Sequence, residues 1–166
     1  MKEEEAFLIG DGTGKPTGIF QTVTEGATSS GATITFDDVM DLYHSLKSPY
    51  RKNAVWILND STVKALRKLK DNNGNYIWQP SVQAGVPDMI LNRPYFTSSF
   101  VPTIDTSKKV LAFGDFSYYW IADRQGRSFK RLNELYAESG QVGFLASQRV
   151  DGKLILNEAV KVLTMK

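Results

Sequence analysis

The sequence predicts an α/β fold of the mixed α+β kind, a mixed sheet flanked by helices, and two observations carry that prediction. Helical periodicity is confined to the first half of the chain, while short strand-like runs crowd the second. In between, Leu66 to Gly85 reads as a helix that turns sharply and then lies flat. A basic helical end (Arg67, Lys68, Lys70) enters Asp71-Asn72-Asn73-Gly74 and then the run Tyr76-Ile77-Trp78. Asn, Asp and Gly tolerate left-handed backbone, so Asn73-Gly74 marks a tight turn. Helices early and strands late imply a mixed sheet with helices packed on it.

Each element follows from local chemistry. Glu3 to Ile9 reads as the last turns of a helix, ended by Gly10-Asp11-Gly12-Thr13-Gly14-Lys15-Pro16, where three glycines and a proline break any regular element. Residues 22–34, rich in Thr, Ser and Gly, suggest a mobile surface excursion. Thr35 caps a helix with Asp37 and Asp38 in its first turn, where the helix dipole favours acids. Phe36, Val39, Met40, Tyr43 and Leu46 give that helix one buried face, and Ser48-Pro49 stops it.

Ala54 to Leu58 is a buried strand. Asp60 or Ser61 caps the next helix, with Val63, Leu66 and Leu69 inward and Lys64, Arg67 and Lys68 outward. Strands follow at 88–91, 95–99 and 109–113, punctuated by Pro94 and Pro102. Phe116 to Ala122 is strand-like, Asp123-Arg124-Gln125-Gly126 is a hairpin-type turn, and Phe129 to Tyr136 is the return strand. Val142–Ser147 and Leu154–Met165 read as two long strands joined by Asp151-Gly152.

At 166 residues the chain forms one globular unit and buries roughly two-thirds of its unfolded surface. Twenty basic residues against eighteen acidic ones give a net charge of +2, too little for a nucleic-acid arm or a membrane-binding surface. No basic block is dense enough along the chain to act as a patch. The absence of cysteine excludes disulfides, thiolate nucleophiles and Cys-ligated zinc. No apolar run approaches the roughly 20 residues of a membrane span, and Met1-Lys2-Glu3-Glu4-Glu5 does not resemble a signal peptide. The expected class is a soluble, unanchored domain.

Candidate chemistry is sparse. Gly10 to Pro16 falls short of a phosphate loop: counted from Gly10, Lys15 stands where the second glycine is needed, and with Lys15 taken as the motif's lysine, Pro16 stands where the magnesium-binding hydroxyl should follow. Asp71 to Gly74 places its glycine fourth where a calcium loop needs it sixth. His44 is the only histidine, so any catalytic triad would have to use it, and its mid-helix position reads as surface. Asp37 and Asp38 splay about 100° apart on a helix. Lys64, Arg67 and Lys68 share a face that reads as solvated, and Trp56, Trp78, Tyr118, Tyr119 and Trp120 read as core or interface before they read as a stacking platform. No catalytic, cofactor-binding or metal residue is expected, and no enzyme.

Five strings, in order over most of the chain, carry a resemblance. They are Phe7 to Ile19, Trp56-Ile57-Leu58-Asn59-Asp60-Ser61-Thr62 through Lys70-Asp71-Asn72-Asn73-Gly74-Asn75-Tyr76, Leu91-Asn92-Arg93-Pro94-Tyr95, Phe113-Gly114-Asp115-Phe116 with Tyr118-Tyr119-Trp120-Ile121, and Arg149-Val150-Asp151-Gly152. Together they resemble the C-terminal part of major capsid proteins of the HK97-type family of tailed phages. The third string departs from the Gly-x-Pro-Val-like strand usual there.

The resemblance implies an HK97-like capsid fold fragment. Residues 1–9 would end a spine-type helix, 10–148 would form an axial-type domain, and 149–166 would be a strand returning to a peripheral-type domain. The family's N-terminal arm, extended loop and most of the spine helix are not in the sequence, which implies a truncated or processed piece, monomeric or weakly oligomeric by itself. Without that loop, and with no suitable asparagine around Glu138-Ser139-Gly140-Gln141, no isopeptide cross-link is expected. The implied function is that of a structural subunit of an icosahedral phage or prophage shell, self-assembling into pentamers and hexamers around double-stranded DNA without sequence-specific contacts. It would be assembled in the bacterial cytoplasm and reside in the virion capsid, with Thr22–Ala32 among its contact loops. Two alternatives stand beside it: an encapsulin-like nanocompartment shell protein, and a small sugar- or nucleic-acid-binding module.

Overall fold

Two sheets organise the chain in the computed structural model, which describes residues 2–24, 26–78, 88–135 and 137–166. Helix α1 (Lys2–Ile9) leads through the glycine-rich loop to the short helix α2 (Ile19–Thr22) and strand β1 (Gly26–Thr28). Helices α3 (Phe36–Ser45) and α4 (Ser48–Arg51), strand β2 (Val55–Leu58) and helix α5 (Asp60–Arg67) follow. The second half is strands: β3 (Met89–Ile90), β4 (Arg93–Thr97), β5 (Lys109–Gly114), the long β6 (Tyr119–Leu132) and β7 (Gly143–Leu154), and β8 (Val160–Thr164).

Six strands form one sheet in the order β1-β8-β5-β2-β4-β3, and β6 pairs only with β7. The large sheet is mixed, as expected: β5 runs antiparallel to β2 and β8, while β2–β4 and β1–β8 are parallel. Its strand β5 is covered on both faces and so reads as a continuous apolar run. Leu111, Phe113 and Leu163 point to the side of α3 and α5 and pack with Val39, Leu42, Leu46, Trp56, Val63 and Leu66. Ala112, Val160 and Val162 point the other way, onto Leu8, Ile19, Phe20 and Val23 from the N-terminal segment. Among the described residues no helix is long and apolar enough to cross a membrane.

Thr35 caps α3 through a reciprocal box. Its hydroxyl accepts from the Asp38 backbone N–H at 3.2 Å, and the Asp38 carboxylate accepts from the Thr35 N–H at 2.8 Å. The other Asp38 oxygen accepts from the Ser30 N–H at 2.9 Å, so the acid also ties down the preceding loop and is itself buried. The buried face of α3 is Val39, Leu42 and Leu46, with Phe36, Met40 and Tyr43 half-buried at its margins.

Several expectations are corrected. Residues 22–34 are no excursion: they supply edge strand β1 and bury Val23 and Ile34. Gly26 permits this, since a Cβ there would lie 1.8 Å from the Val162 carbonyl oxygen. The cap of α5 is Asn59, whose side-chain oxygen accepts from the Ser61 N–H while its amide donates to the Val101 carbonyl at 2.9 Å. Ser48-Pro49 ends α3 but also opens α4, because proline suits a first helical turn. Pro94 lies inside β4, opposite Met89. Tyr76 makes only an isolated bridge to Lys70, so the described part of the segment after Gly74 is not a strand, and residues 79–85 lie outside the described residues.

The last third is reorganised most. Asp123 to Gly126 is not a turn: Asp123 and Arg124 pair within β6, a bulge follows between Arg124 and Ser128, and the chain reverses only after Leu132, which pairs with Gly143. Asp151 and Gly152 sit inside β7, opposite Ala122 and Ile121, and do not join two strands. The expected domain line between 148 and 149 therefore falls within β7, and β8 lies inside the six-stranded sheet between β1 and β5.

Candidate assembly interface

The β6–β7 ribbon forms its own sheet, with Leu154 at its base buried in the core, and further contacts tie that base to the N-terminal segment. The Tyr119 hydroxyl donates to the Thr17 carbonyl at 3.0 Å, and the Thr17 N–H donates to the Gly152 carbonyl at 2.9 Å. Phe7 of α1 meets the Tyr119 ring edge-on, with centroids 6.0 Å apart. A Cβ on Gly152 would sit 3.0 Å from Phe7 and 2.7 Å from the Tyr119 oxygen, so the glycine lets α1 lie on the ribbon. Burial pushes the Tyr119 hydroxyl up to about 12, helped by the nearby Asp151 charge.

Period-two alternation gives the ribbon two unlike faces. From the register, one face carries Tyr119, Ile121, Asp123, Phe129, Arg131, Phe144, Ala146, Val150 and Gly152, and α1 crosses it at the base. Beyond α1 this face is bare: Phe129 and Phe144 are each 75% exposed. The opposite face carries Trp120, Arg124, Lys130, Leu145, Arg149 and Lys153. The six-stranded sheet adds a smaller apolar spot at Phe96 on β4, beside a groove shared with Glu3, Glu4 and Phe7. The acids of α1 are all exposed.

The residues weighed from sequence mostly resolve into structural roles. Lys15 pairs with Asp11 at 3.5 Å across the glycine-rich loop, and Asp11 accepts from the Thr13 N–H, which with the Lys15 charge holds its carboxyl below the usual range. Asp71 accepts from the N–H groups of Asn73 and Asn75, and Gly74 takes a φ of 85°, so the segment is a turn. His44 is exposed on α3 against Tyr43. Arg67 pairs with Asp88 and lies 5.2 Å over the Trp78 ring. Trp56 is fully buried, Trp78 packs on Tyr95 and Trp120 stands on the ribbon, so the structure does not bring the aromatics together. Among the described residues no cluster of His, Asp or Glu fits a metal ion.

Sequence reasoning missed the two-faced ribbon. Its exposed phenylalanines and its cations are dispersed along the chain, and only antiparallel pairing gathers them. The expectation that no basic patch exists holds along the sequence and fails across the ladder, where four cations share one face.

The comparisons with known proteins place this geometry. The model of the phage capsid family matches residues 1–165. The chain is similar to a protein from the structure titled "Capsid of native GTA particle computed with C5 symmetry", with 33% identity and a TM-score of 0.86. The corresponding empty particle gives 31% identity and 0.85. Both superpositions cover 99% of this chain, which spans 60% and 61% of the respective capsid proteins. The fold alone is shared with the SrpI encapsulin of Synechococcus elongatus PCC 7942, at 15% identity, a TM-score of 0.70, and coverage of 99% of this chain and 61% of that one. No curated protein matches in sequence.

Proposed function

This chain belongs to the phage capsid family, and we propose that it supplies the shell-forming C-terminal part of a capsid subunit that self-assembles into pentamers and hexamers around double-stranded DNA. The observation that carries the reading is the family match over residues 1–165, joined to superposition of nearly the whole chain on GTA capsid proteins above 30% identity. The nanocompartment reading rests on fold alone at 15% identity and is not favoured over it.

The molecule suits such a role physically. A shell closes reversibly when a rigid wedge makes many modest contacts through self-complementary edges. Here the rigid part is the six-stranded sheet with its two apolar layers, and the contact-making part is the ribbon with its bare phenylalanine face. Within the subunit, α1 reads as the end of a longer spine-type helix and the six-stranded sheet, β8 included, as the axial-type body. The role is structural, with no catalytic residue, and the shell is assembled in the bacterial cytoplasm before it becomes the virion capsid.

The test is to express the longer protein that contains this chain and view it by negative-stain electron microscopy. Closed, uniform shells are the expected result. A longer protein that stays monomeric under assembly conditions would overturn the reading.

A further inference from the structure

We infer that the cationic face of the β6–β7 ribbon binds the phosphodiester backbone of nucleic acid, with Arg124 and Arg149 at its centre. The two arginines are direct partners across the antiparallel ladder. Like charges in that position repel and weaken a ribbon unless an anion lies between them. Among the described residues neither arginine forms an ion pair, and neither do Lys130 and Lys153 on the same face.

Beside the pair the ladder opens. Residues 125–127 of β6 face the single β7 residue Gln148, and Gly126 takes a φ of 63°. The opening leaves a concavity of about 180 Å³ lined by Arg124, Gly126, Ser128, Ser147, Gln148 and Arg149. Two guanidinium groups and two hydroxyls, the latter hydrogen-bonded to each other at 2.7 Å, make a donor-rich cup. Arginine matches the paired oxygens of a phosphate, and serine hydroxyls supply further donors.

The composition of the face selects the partner. Protein–protein interfaces are depleted of lysine and acids at their centres, though not of arginine, whereas nucleic-acid interfaces are polar and strongly positive throughout. The centre of this face is charged, its apolar residues are Trp120, Ala122, Leu132 and Leu145, and its one acid is Asp151. The opposite face, with Phe129 and Phe144, has the character of a protein contact. Strands β6 and β7 together hold six basic residues against two acidic ones in a chain of net charge +2, so the positive charge is concentrated here. The contact is sequence-independent, since the groups it engages are backbone phosphates, which carry no sequence information. The inference deepens the shell reading by naming a surface that meets the enclosed DNA.

The test is fluorescence anisotropy of a short mixed-sequence DNA duplex titrated with the unassembled 166-residue chain over a range of salt concentrations. Arg124→Gln with Arg149→Gln should weaken binding roughly tenfold at low salt and lower the slope of log affinity against log salt by about 2. Lys64→Gln with Lys68→Gln, on the exposed face of α5, should change neither. The double arginine variant should keep or raise the thermal midpoint, because a repelling pair is removed. Duplex binding equal to wild type in the arginine variant overturns the inference. So does a variant that binds DNA normally but associates differently in sedimentation, which would assign the face to a carboxylate-bearing protein partner. Binding of inorganic phosphate without binding of duplex overturns it as well. The assay uses unassembled chain, so its failure leaves shell formation untouched, and failure of the longer protein to form shells leaves the DNA titration standing.

Discussion

Trp56 and Phe113 are register partners across β2 and β5, and their rings stack 4.0 Å apart with both side chains fully buried. Tyr43 of α3 extends the stack, its ring 5.3 Å from Phe113, and the Trp56 indole N–H donates to the Ile90 carbonyl at 2.9 Å. One column of rings thus joins a helix, two central strands and the start of the β3–β4 edge. Such a column adds about 1 kcal/mol per aromatic pair beyond the area it buries.

Phe113→Ala removes the middle of that column. The expected loss is about 3–5 kcal/mol, the cost of deleting a fully buried aromatic and leaving a cavity. Phe113→Leu keeps most of the volume and should cost less than half as much. Urea denaturation followed by tryptophan fluorescence measures both. Equal losses would mean that the site reads the ring and its stacking rather than the volume it fills.

Two glycines should respond to substitution in different ways. Gly74 has a φ of 85° with open space around it, so Gly74→Val should cost somewhat more than about 1 kcal/mol, all of it left-handed backbone strain. At Gly26 the backbone is not left-handed, but a Cβ would lie 1.8 Å from the Val162 carbonyl oxygen. Gly26→Ala should therefore be the more damaging change, displacing β1 from β8. The check is amide hydrogen exchange: the Gly26 variant should lose protection along β8, and the Gly74 variant should not.

The contrast between these glycines also shows which features were legible in the sequence. The Asn73-Gly74 turn and the Thr35–Asp38 cap are closed by neighbours a few residues away, so residue type and spacing reveal them. Strand β5 was legible because both of its faces are buried and its apolar run from Val110 to Phe113 is unbroken. The glycine of β1 answers to Val162, over a hundred residues away, and no local pattern announces it. Asp123 to Gly126 carries the same residue types as a hairpin turn, because a bulge and a turn both ask for positive φ. Pairing of β6 with β7 then decides which exposed side chains share a face. That is why neither the phenylalanine surface nor the arginine pair stood out in the sequence.

Asp38 should make stability sensitive to acid. Burial alone would raise its pKa, but hydrogen bonds from the Thr35 hydroxyl and from the N–H groups of Ser30 and Thr35 outweigh it and hold the carboxyl below its ordinary 3.8. A carboxyl depressed in the folded state stabilises above its unfolded pKa, and that stabilisation fades as pH falls through the folded value. Asp38→Asn should cost about 1–2 kcal/mol at neutral pH through loss of the capping box. The gap to wild type should narrow as pH drops below the carboxylate range. Glu158, held low by Lys47 and Tyr50, leaves a residual acid dependence in the variant. A gap that stays constant with pH would mean that Asp38 is not charged in the folded protein.

Phe129 and Phe144 lie on the same face of the ribbon, Phe129 opposite Ala146 and Phe144 opposite Arg131, so they are diagonal neighbours. Each is three-quarters exposed, which makes them nearly silent for the stability of the chain by itself. Replacing both with serine should shift the melting temperature of the 166-residue chain by no more than a few degrees while reducing binding of a hydrophobic dye. In the longer protein the same pair should matter far more, because a bare aromatic face beside α1 is the surface that added chain or a neighbouring subunit would cover. There, Phe129→Ser with Phe144→Ser should prevent closed shells, leaving free subunits or open fragments under electron microscopy. Shells that close as readily as wild type would show that this face stays wet in the particle and would move the assembly contacts to the edges of the six-stranded sheet.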